Sequence, residues 1–248
     1  MASAIEIENL KKHYKGAWSP ALDGLTMNVQ EGSITGLLGP NGAGKTTCIN
    51  ILCGLLRADD GKVTILRKDI LSDTASIRSR IGVVPQQIAL FGNLTAWENY
   101  RYIGQLYNLS SQEIKQRAGQ LLEKLGLSKH GDKRIQSFSG GMKRRANIIA
   151  SLLHQPQLLI LDEPTAGVDV QSRALIHDFL RDYHQTSKTI LYTSHHLDEA
   201  EELCNDVIIV DEGKLIAEGS PKNLIATTEG ANKLEDVFLT LTGHTVRD

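Results

Sequence analysis

The chain has 248 residues, a formal net charge of −2 and 41% hydrophobic residues. That length supports one large domain or two modest ones around a substantial core, and the slight acidity excludes the domain-wide basic surface of nucleic-acid binders. Three cysteines, Cys48, Cys53 and Cys204, lack C-x-x-C spacing; they exclude a disulfide scaffold or a cysteine-held zinc and are expected to be buried thiols in a reducing, cytosolic compartment.

The start, Met1-Ala2-Ser3-Ala4-Ile5-Glu6, has no basic segment ahead of an apolar core, so no export signal is expected. No apolar run approaches the roughly 18 residues a membrane helix needs. Any service to a membrane is expected to pass through a partner. Strand-like runs follow at Ala4–Ile7, Leu25–Val29, Ile34–Leu38, Val63–Ile65, Ile81–Val84, Leu158–Leu161, Thr189–Thr193 and Val207–Val210, with helical patterns after Lys45, Asp169 and Leu197. This alternation predicts an α/β chain, and the all-apolar Leu158–Leu161 reads as a strand covered on both faces in a parallel sheet. Between about Leu94 and Leu127 the strand signal stops and two capping boxes appear, Thr95-x-x-Glu98 and Ser110-x-x-Glu113, which predict an inserted helical subdomain. Phe91, Trp97, Tyr100, Tyr102 and Tyr107 crowd this stretch. A subdomain core and a docking surface for another protein explain them equally well. The stretch 227–233 loosens before a short closing helix from Leu234.

Two glycine-rich segments carry phosphate chemistry. Gly39-Pro40-Asn41-Gly42-Ala43-Gly44-Lys45-Thr46 matches G-x-x-x-x-G-K-[ST], in which backbone N–H groups curl around phosphate oxygens, the lysine reaches the outer phosphates and the threonine hydroxyl ligates magnesium. Phe138-Ser139-Gly140-Gly141-Met142 opens a helical pattern and supplies a second anion site at a helix N-terminus, although Ser139 also suits an ordinary N-cap. Asp162, at the end of the apolar strand, is the natural magnesium partner, and Glu163 beside it is placed to polarise an attacking water. Gln86 leaves another strand end, within reach of magnesium or that water. His195 ends Thr189–Ser194, where an imidazole can meet a γ-phosphate, with His196 as a rival. Tyr14 alone reads as a core residue, and Lys143-Arg144-Arg145 as a solvated helix face.

In this order the residues resemble the ATP-binding subunit of an ATP-binding cassette (ABC) transporter, over nearly the whole chain. The resemblance implies a P-loop NTPase (RecA-like) fold: a mostly parallel sheet, an antiparallel β subdomain and an inserted helical subdomain. One ABC ATPase domain over 1–240 is expected, with the core in 1–88 and 158–228, the helical subdomain in 89–157, and a short tail in 229–248. It implies that Tyr14 stacks on adenine and that Gly39 to Thr46, with Thr47, form the Walker A loop. Gln86 takes the Q-loop position, Ser139, Gly140 and Gly141 the signature motif, Asp162 the end of Walker B, Glu163 the catalytic glutamate, Asp169 the D-loop and His195 the switch histidine. Phe138 and Met142 stand where the family usually has leucine and glutamine.

In this family a head-to-tail dimer sandwiches two ATP molecules, each between one subunit's Walker A loop and the other's signature serine, which joins the two half-sites of one chain into whole sites in a pair. ATP and Mg2+ are the implied cofactors. The implied partners are transmembrane subunits, of ABC-2 type, and a second ATP-binding subunit in a homodimer; no nucleic acid is expected. The closing Leu234-Glu235-Asp236-Val237-Phe238 and the signature segment resemble the subgroup serving multidrug, lipid or polysaccharide exporters, on the cytoplasmic face of the inner membrane. A soluble non-transport cassette ATPase and an importer subunit are the alternatives, and a small-molecule kinase would need neither the signature segment nor Glu163.

Overall fold

Chain segments of opposite hydrophobic pattern sort into different sheets. In the computed structural model, which describes residues 2–243, the elements in order are β1 (Ser3–Lys12), β2 (Leu22–Gln30), β3 (Ile34–Leu38), α1 (Lys45–Leu52), β4 (Asp60–Ile65), β5 (Lys68–Asp69), α2 (Thr74–Arg78), β6 (Ile81–Val84), α3 (Ala96–Leu106), α4 (Ser111–Lys124), α5 (Gly140–Leu152), β7 (Leu158–Asp162), α6 (Val170–His184), β8 (Thr189–Thr193), α7 (Leu197–Leu203), β9 (Asp206–Asp211), β10 (Lys214–Gly219), α8 (Pro221–Thr227) and α9 (Leu234–Thr242). The part of the expected tail over 244–248 lies outside the described residues. Contacts divide the chain into two units, Met1–Arg78 with Thr189–Asp248, and Ser79–Lys188.

In the first unit, β1 and β2 alternate buried and exposed positions and join β4 and β5 in an antiparallel sheet of order β2-β1-β4-β5. One covered face and one wet face explain the alternation. β3 has all five residues buried and runs parallel to both neighbours, pairing Gly36 with Tyr192 of β8 and with Val207 of β9. β10 adds an antiparallel edge to β9. Its turn, Glu212-Gly213, takes positive φ at both residues (47° and 73°), the backbone of a two-residue hairpin that twists with the strands it joins. The closing helix α9 is tied to α7, as Glu201 accepts from the Leu234 backbone N–H at 2.8 Å.

In the second unit β6 and β7 pair in parallel, Ile81 with Leu158 and Val84 with Leu161. Leu158, Leu159, Ile160 and Leu161 are fully buried, as a strand covered on both faces requires. Both expected capping boxes form: Thr95 accepts from Glu98 N–H while Glu98 accepts from Thr95 N–H, and Ser110 and Glu113 repeat the exchange. The aromatic stripe divides its labour. Tyr100 is fully buried and meets Trp97 edge-on, whereas Phe91 and Tyr102 stay half exposed and stack edge-to-face at 5.3 Å. Cys48, Cys53 and Cys204 are all buried and in no disulfide among the described residues, and burial pushes the Cys48 thiol up to about 12.

Ile160→Ala, which empties a fully buried position, is expected to lower stability by about 2–5 kcal/mol, whereas Thr95→Ala, which removes only a cap, should cost about 1 kcal/mol. Denaturant midpoints compared with wild type check both, and equal losses would contradict this account.

Candidate nucleotide site

The first glycine-rich segment connects β3 to α1, so a buried parallel strand delivers it to a helix N-terminus. Gly44 is the N-cap of α1 at φ 99°, and no side chain caps this helix. A Cβ on Gly44 would sit 2.3 Å from the Ala21 carbonyl oxygen, so only glycine allows the loop to fold this tightly. Lys45 is 9% exposed and donates to the carbonyls of Gly39 (2.7 Å) and Pro40 (2.9 Å), which bends its side chain back over the loop. Thr46 is exposed, while Thr47 is buried with its hydroxyl 3.3 Å from the Tyr14 hydroxyl. Tyr14 is 42% exposed, which corrects the core assignment drawn from its position alone: the loop after β1 holds the ring at the surface beside α1. In the same unit His195 is exposed just beyond β8, its ring 4.1 Å from that of His196.

The second segment opens α5. Ser139 accepts from the Met142 backbone N–H at 3.3 Å, so the expected N-cap forms. Gly140 is exposed at the first turn, and a Cβ on Gly141 would lie 2.3 Å from Ser172 Oγ, in α6. Phe138, in the place of the family's leucine, is buried against the edge of His130. Asp169 caps α6 by accepting from Ser172 N–H at 2.9 Å, and that backbone donor holds its carboxyl below the usual carboxylate range.

Strands β6 and β7 end side by side, which brings Gln86 to Glu163. Gln86 Nε2 donates to Glu163 Oε2 at 2.8 Å. Glu163 has φ 46°, a left-handed conformation costing of order 1 kcal/mol for a residue with a Cβ. Asp162 and Glu163 are both half-buried. Sequence reasoning missed the residue behind them. Arg144 is 5% exposed, and its guanidinium donates to the carbonyls of Pro85 (2.8 Å) and Gln86 (2.6 Å). Burial lowers its pKa, opposed by the charges of Asp162 and Glu163. Arg145 is half-buried and donates to Leu125 and Gly141 carbonyls. The solvated-face reading of Lys143-Arg144-Arg145 is therefore corrected: α5 packs within its unit, and long guanidinium side chains satisfy carbonyls that loops leave unpaired. On the face of α5 that carries Arg144, its neighbours Gly141, Asn147 and Ile148 are buried, and Ile148, one turn on, was the single apolar signal available.

A lysine-bearing loop at an uncapped helix start, and a carboxylate pair at a parallel strand end, define a P-loop nucleotide hydrolase. The profile of the ABC transporter family matches residues 22–166. The linearmycin resistance ATP-binding protein LnrL of Bacillus subtilis is 43% identical over 91% of this chain and 72% of its own length, and the Nod factor export ATP-binding protein I of Cupriavidus metallidurans is 40% identical over 95% and 77%. Among solved structures, a dimeric ATP-binding cassette in a post-hydrolysis state with ADP and Pi superposes with a TM-score of 0.79 at 26% identity, covering 87% of this chain and 98% of that one. The chain belongs to the ABC transporter family. It is an ATP-binding, ATP-hydrolysing subunit of the α/β cassette fold, and subunits of this kind dimerise and work with transmembrane permease partners. No helix among the described residues is long and apolar enough to cross a membrane.

Gly44→Ala is expected to destabilise the chain by more than about 1 kcal/mol and to weaken binding of a fluorescent ATP analogue at least tenfold, read by thermal melting and titration. Because the Asp169 carboxyl is held low in the folded state, its cap contributes stability above the unfolded value and loses it as pH falls through the folded one. Melting temperatures followed from about pH 5 to about pH 3 should therefore fall more steeply in wild type than in Asp169→Asn.

Proposed function

We propose that this subunit powers export of a substrate through separate ABC-2-type membrane subunits, as one half of a homodimer that closes around two ATP molecules on the cytoplasmic face of the inner membrane. The observation that carries the catalytic part is the 2.8 Å hydrogen bond from Gln86 to Glu163, at a strand end that also presents Asp162. Tyr14 stacks on adenine, the backbone of Gly39 to Gly44 wraps the phosphates, and Lys45 swings from its carbonyl partners to the outer phosphates. Thr47 supports Tyr14 through the 3.3 Å hydroxyl contact. Ser139, Gly140 and Gly141 close the site of the opposite subunit, with Asp169 at that boundary.

Magnesium suits the donor chemistry present, since this ion is held by one or two protein oxygens together with substrate phosphates and water. Thr46 would supply a hydroxyl, Asp162 a carboxylate acting through water, and Gln86 its amide oxygen. Bound there, the ion neutralises charge that develops on the phosphates. Glu163 accepts a proton as water attacks the γ-phosphorus, the bond to the bridging oxygen breaks, and ADP and Pi leave; His195 donates a hydrogen bond to the γ-phosphate. The names of two relatives, one a resistance protein and one an export protein, support the direction of transport. A surface for the membrane subunits is supported by the half-exposed Phe91 and Tyr102 pair, extended by Leu106, which lies one turn from Tyr102 on α3 and is 65% exposed.

Glu163→Gln is expected to lower ATP turnover by about 100-fold or more, and to leave an ATP-bound dimer that elutes early in size-exclusion chromatography. A variant that hydrolyses ATP at the wild-type rate would overturn the base assignment.

A further inference from the structure

The hydrogen bond that presents Gln86 to Glu163 depends on backbone held from behind by the helix that begins at Ser139. Three backbone groups of the Gln86 loop are bound by one face of α5. Arg144 donates to Pro85 O and Gln86 O, and Asn147, one turn on and 3% exposed, accepts from Ala89 N–H at 3.2 Å. Farther along the loop, Asn99 of α3 accepts from Phe91 N–H at 2.8 Å and donates to Phe91 O. Both carbonyls that Arg144 binds lie beyond the end of β6, past its last pairing with β7 at Val84. Without Arg144 they would be left unsatisfied in a half-buried place, at a cost a neutral side chain of similar length cannot recover.

We infer that Arg144 is a positioning residue for ATP hydrolysis: its two-pronged guanidinium fixes the backbone at Pro85 and Gln86, so that the Gln86 amide is held on the Glu163 carboxylate and moves together with the signature helix. Arg144 does not touch the reacting atoms. Its guanidinium is a planar fork whose paired N–H groups reach two carbonyls at once, and a lysine ammonium cannot copy that geometry. Because one rigid helix carries both Ser139 at its start and Arg144 about one turn later, seating the signature segment on a γ-phosphate sets the position of Gln86 without any intervening flexible segment. The inference rests on the roles proposed for Gln86 and Glu163.

The test uses the full chain, with Arg144→Lys, Arg144→Ala, Gln86→Ala, the double variant Arg144→Lys with Gln86→Ala, and Glu163→Gln. Arg144→Lys should lower kcat about tenfold with KM for ATP changed less than about twofold, and in the Gln86→Ala background the same substitution should change kcat less than about twofold, because the two act through one interaction. Millimolar guanidinium should restore much of the activity of Arg144→Ala and none of that of Arg144→Lys. In the nucleotide-free protein, hydrogen exchange of backbone amides over 86–90 should quicken in both Arg144 variants while exchange in α3 and α4 stays at the wild-type rate.

Additive effects of Arg144→Lys and Gln86→Ala, or exchange that quickens throughout Ser79–Lys188, would overturn the inference in favour of a general packing role. Impaired Gln86→Ala and Glu163→Gln with a normal Arg144→Lys would overturn it while leaving the catalytic reading intact. A normal Glu163→Gln or Gln86→Ala would overturn both together. Should Arg144→Ala fail to fold, Arg144→Lys and its exchange pattern decide alone.

Discussion

Backbone N–H groups at the start of a helix are the constraint on which this molecule turns. They must be satisfied, and the chain treats its helices in two ways. α3 and α4 are closed by reciprocal capping boxes, in which Thr95 with Glu98 and Ser110 with Glu113 use up the free donors. α1 begins at Gly44 with no side-chain cap at all. α3 and α4 are thus sealed by their own residues, whereas α1, which follows the lysine loop, and α7 begin without a side-chain cap, and an uncapped helix start is a place where an anion can be held. α5 stands between these cases, because Ser139 caps a single N–H while the exposed Gly140 leaves its first turn open to the surface.

Around these helix starts the fold supplies rigidity in proportion to chemical need. β3 and β7 are buried throughout or nearly so, and the segments that leave them, Gly39 onward and Asp162-Glu163, depart from fixed points. The left-handed φ at Glu163 persists because a strand on one side and the turn closed by Ala166 N–H to Glu163 O on the other hold it there. Behind this turn the buried guanidinium of Arg144 ties two carbonyls of an irregular stretch of backbone to helix α5.

What could be read from residues alone follows from where the physics is local. Ile34–Leu38, Ile81–Val84 and Thr189–Thr193 were legible to their ends, because short, dense apolar runs have one way to be buried. The capping boxes were legible because each is a contact across three residues. β10 escaped notice: its pattern alternates weakly at a sheet edge, although the Glu212-Gly213 turn before it was a usable hairpin signal. Arg144 was read as a solvent-facing charge because the one apolar residue on its helix face, Ile148, is a weak cue; its partners, Pro85 and Gln86, lie in another segment and accept through backbone, which leaves no mark on residue identity. Tyr14 failed in the opposite sense, since a lone aromatic close to a strand looks like core until the loop that carries it is seen at the surface. The lysine loop and the carboxylate pair were plain from spacing, while the donation from Gln86 to Glu163 required the parallel register of β6 and β7.

The contact between Gly141 and Ser172 has a historical consequence. The space a side chain at 141 would need is already filled by Ser172 Oγ, 2.3 Å from where its Cβ would be. Ser172 in turn donates its backbone N–H to Asp169. A larger residue at 172 would press on the signature segment from beneath, so these positions cannot drift independently, and a lineage that changed one would have to change the other or lose the segment's geometry. The small serine in α6, unremarkable by type and distant in sequence, is bound to the same evolutionary fate as the glycine it faces.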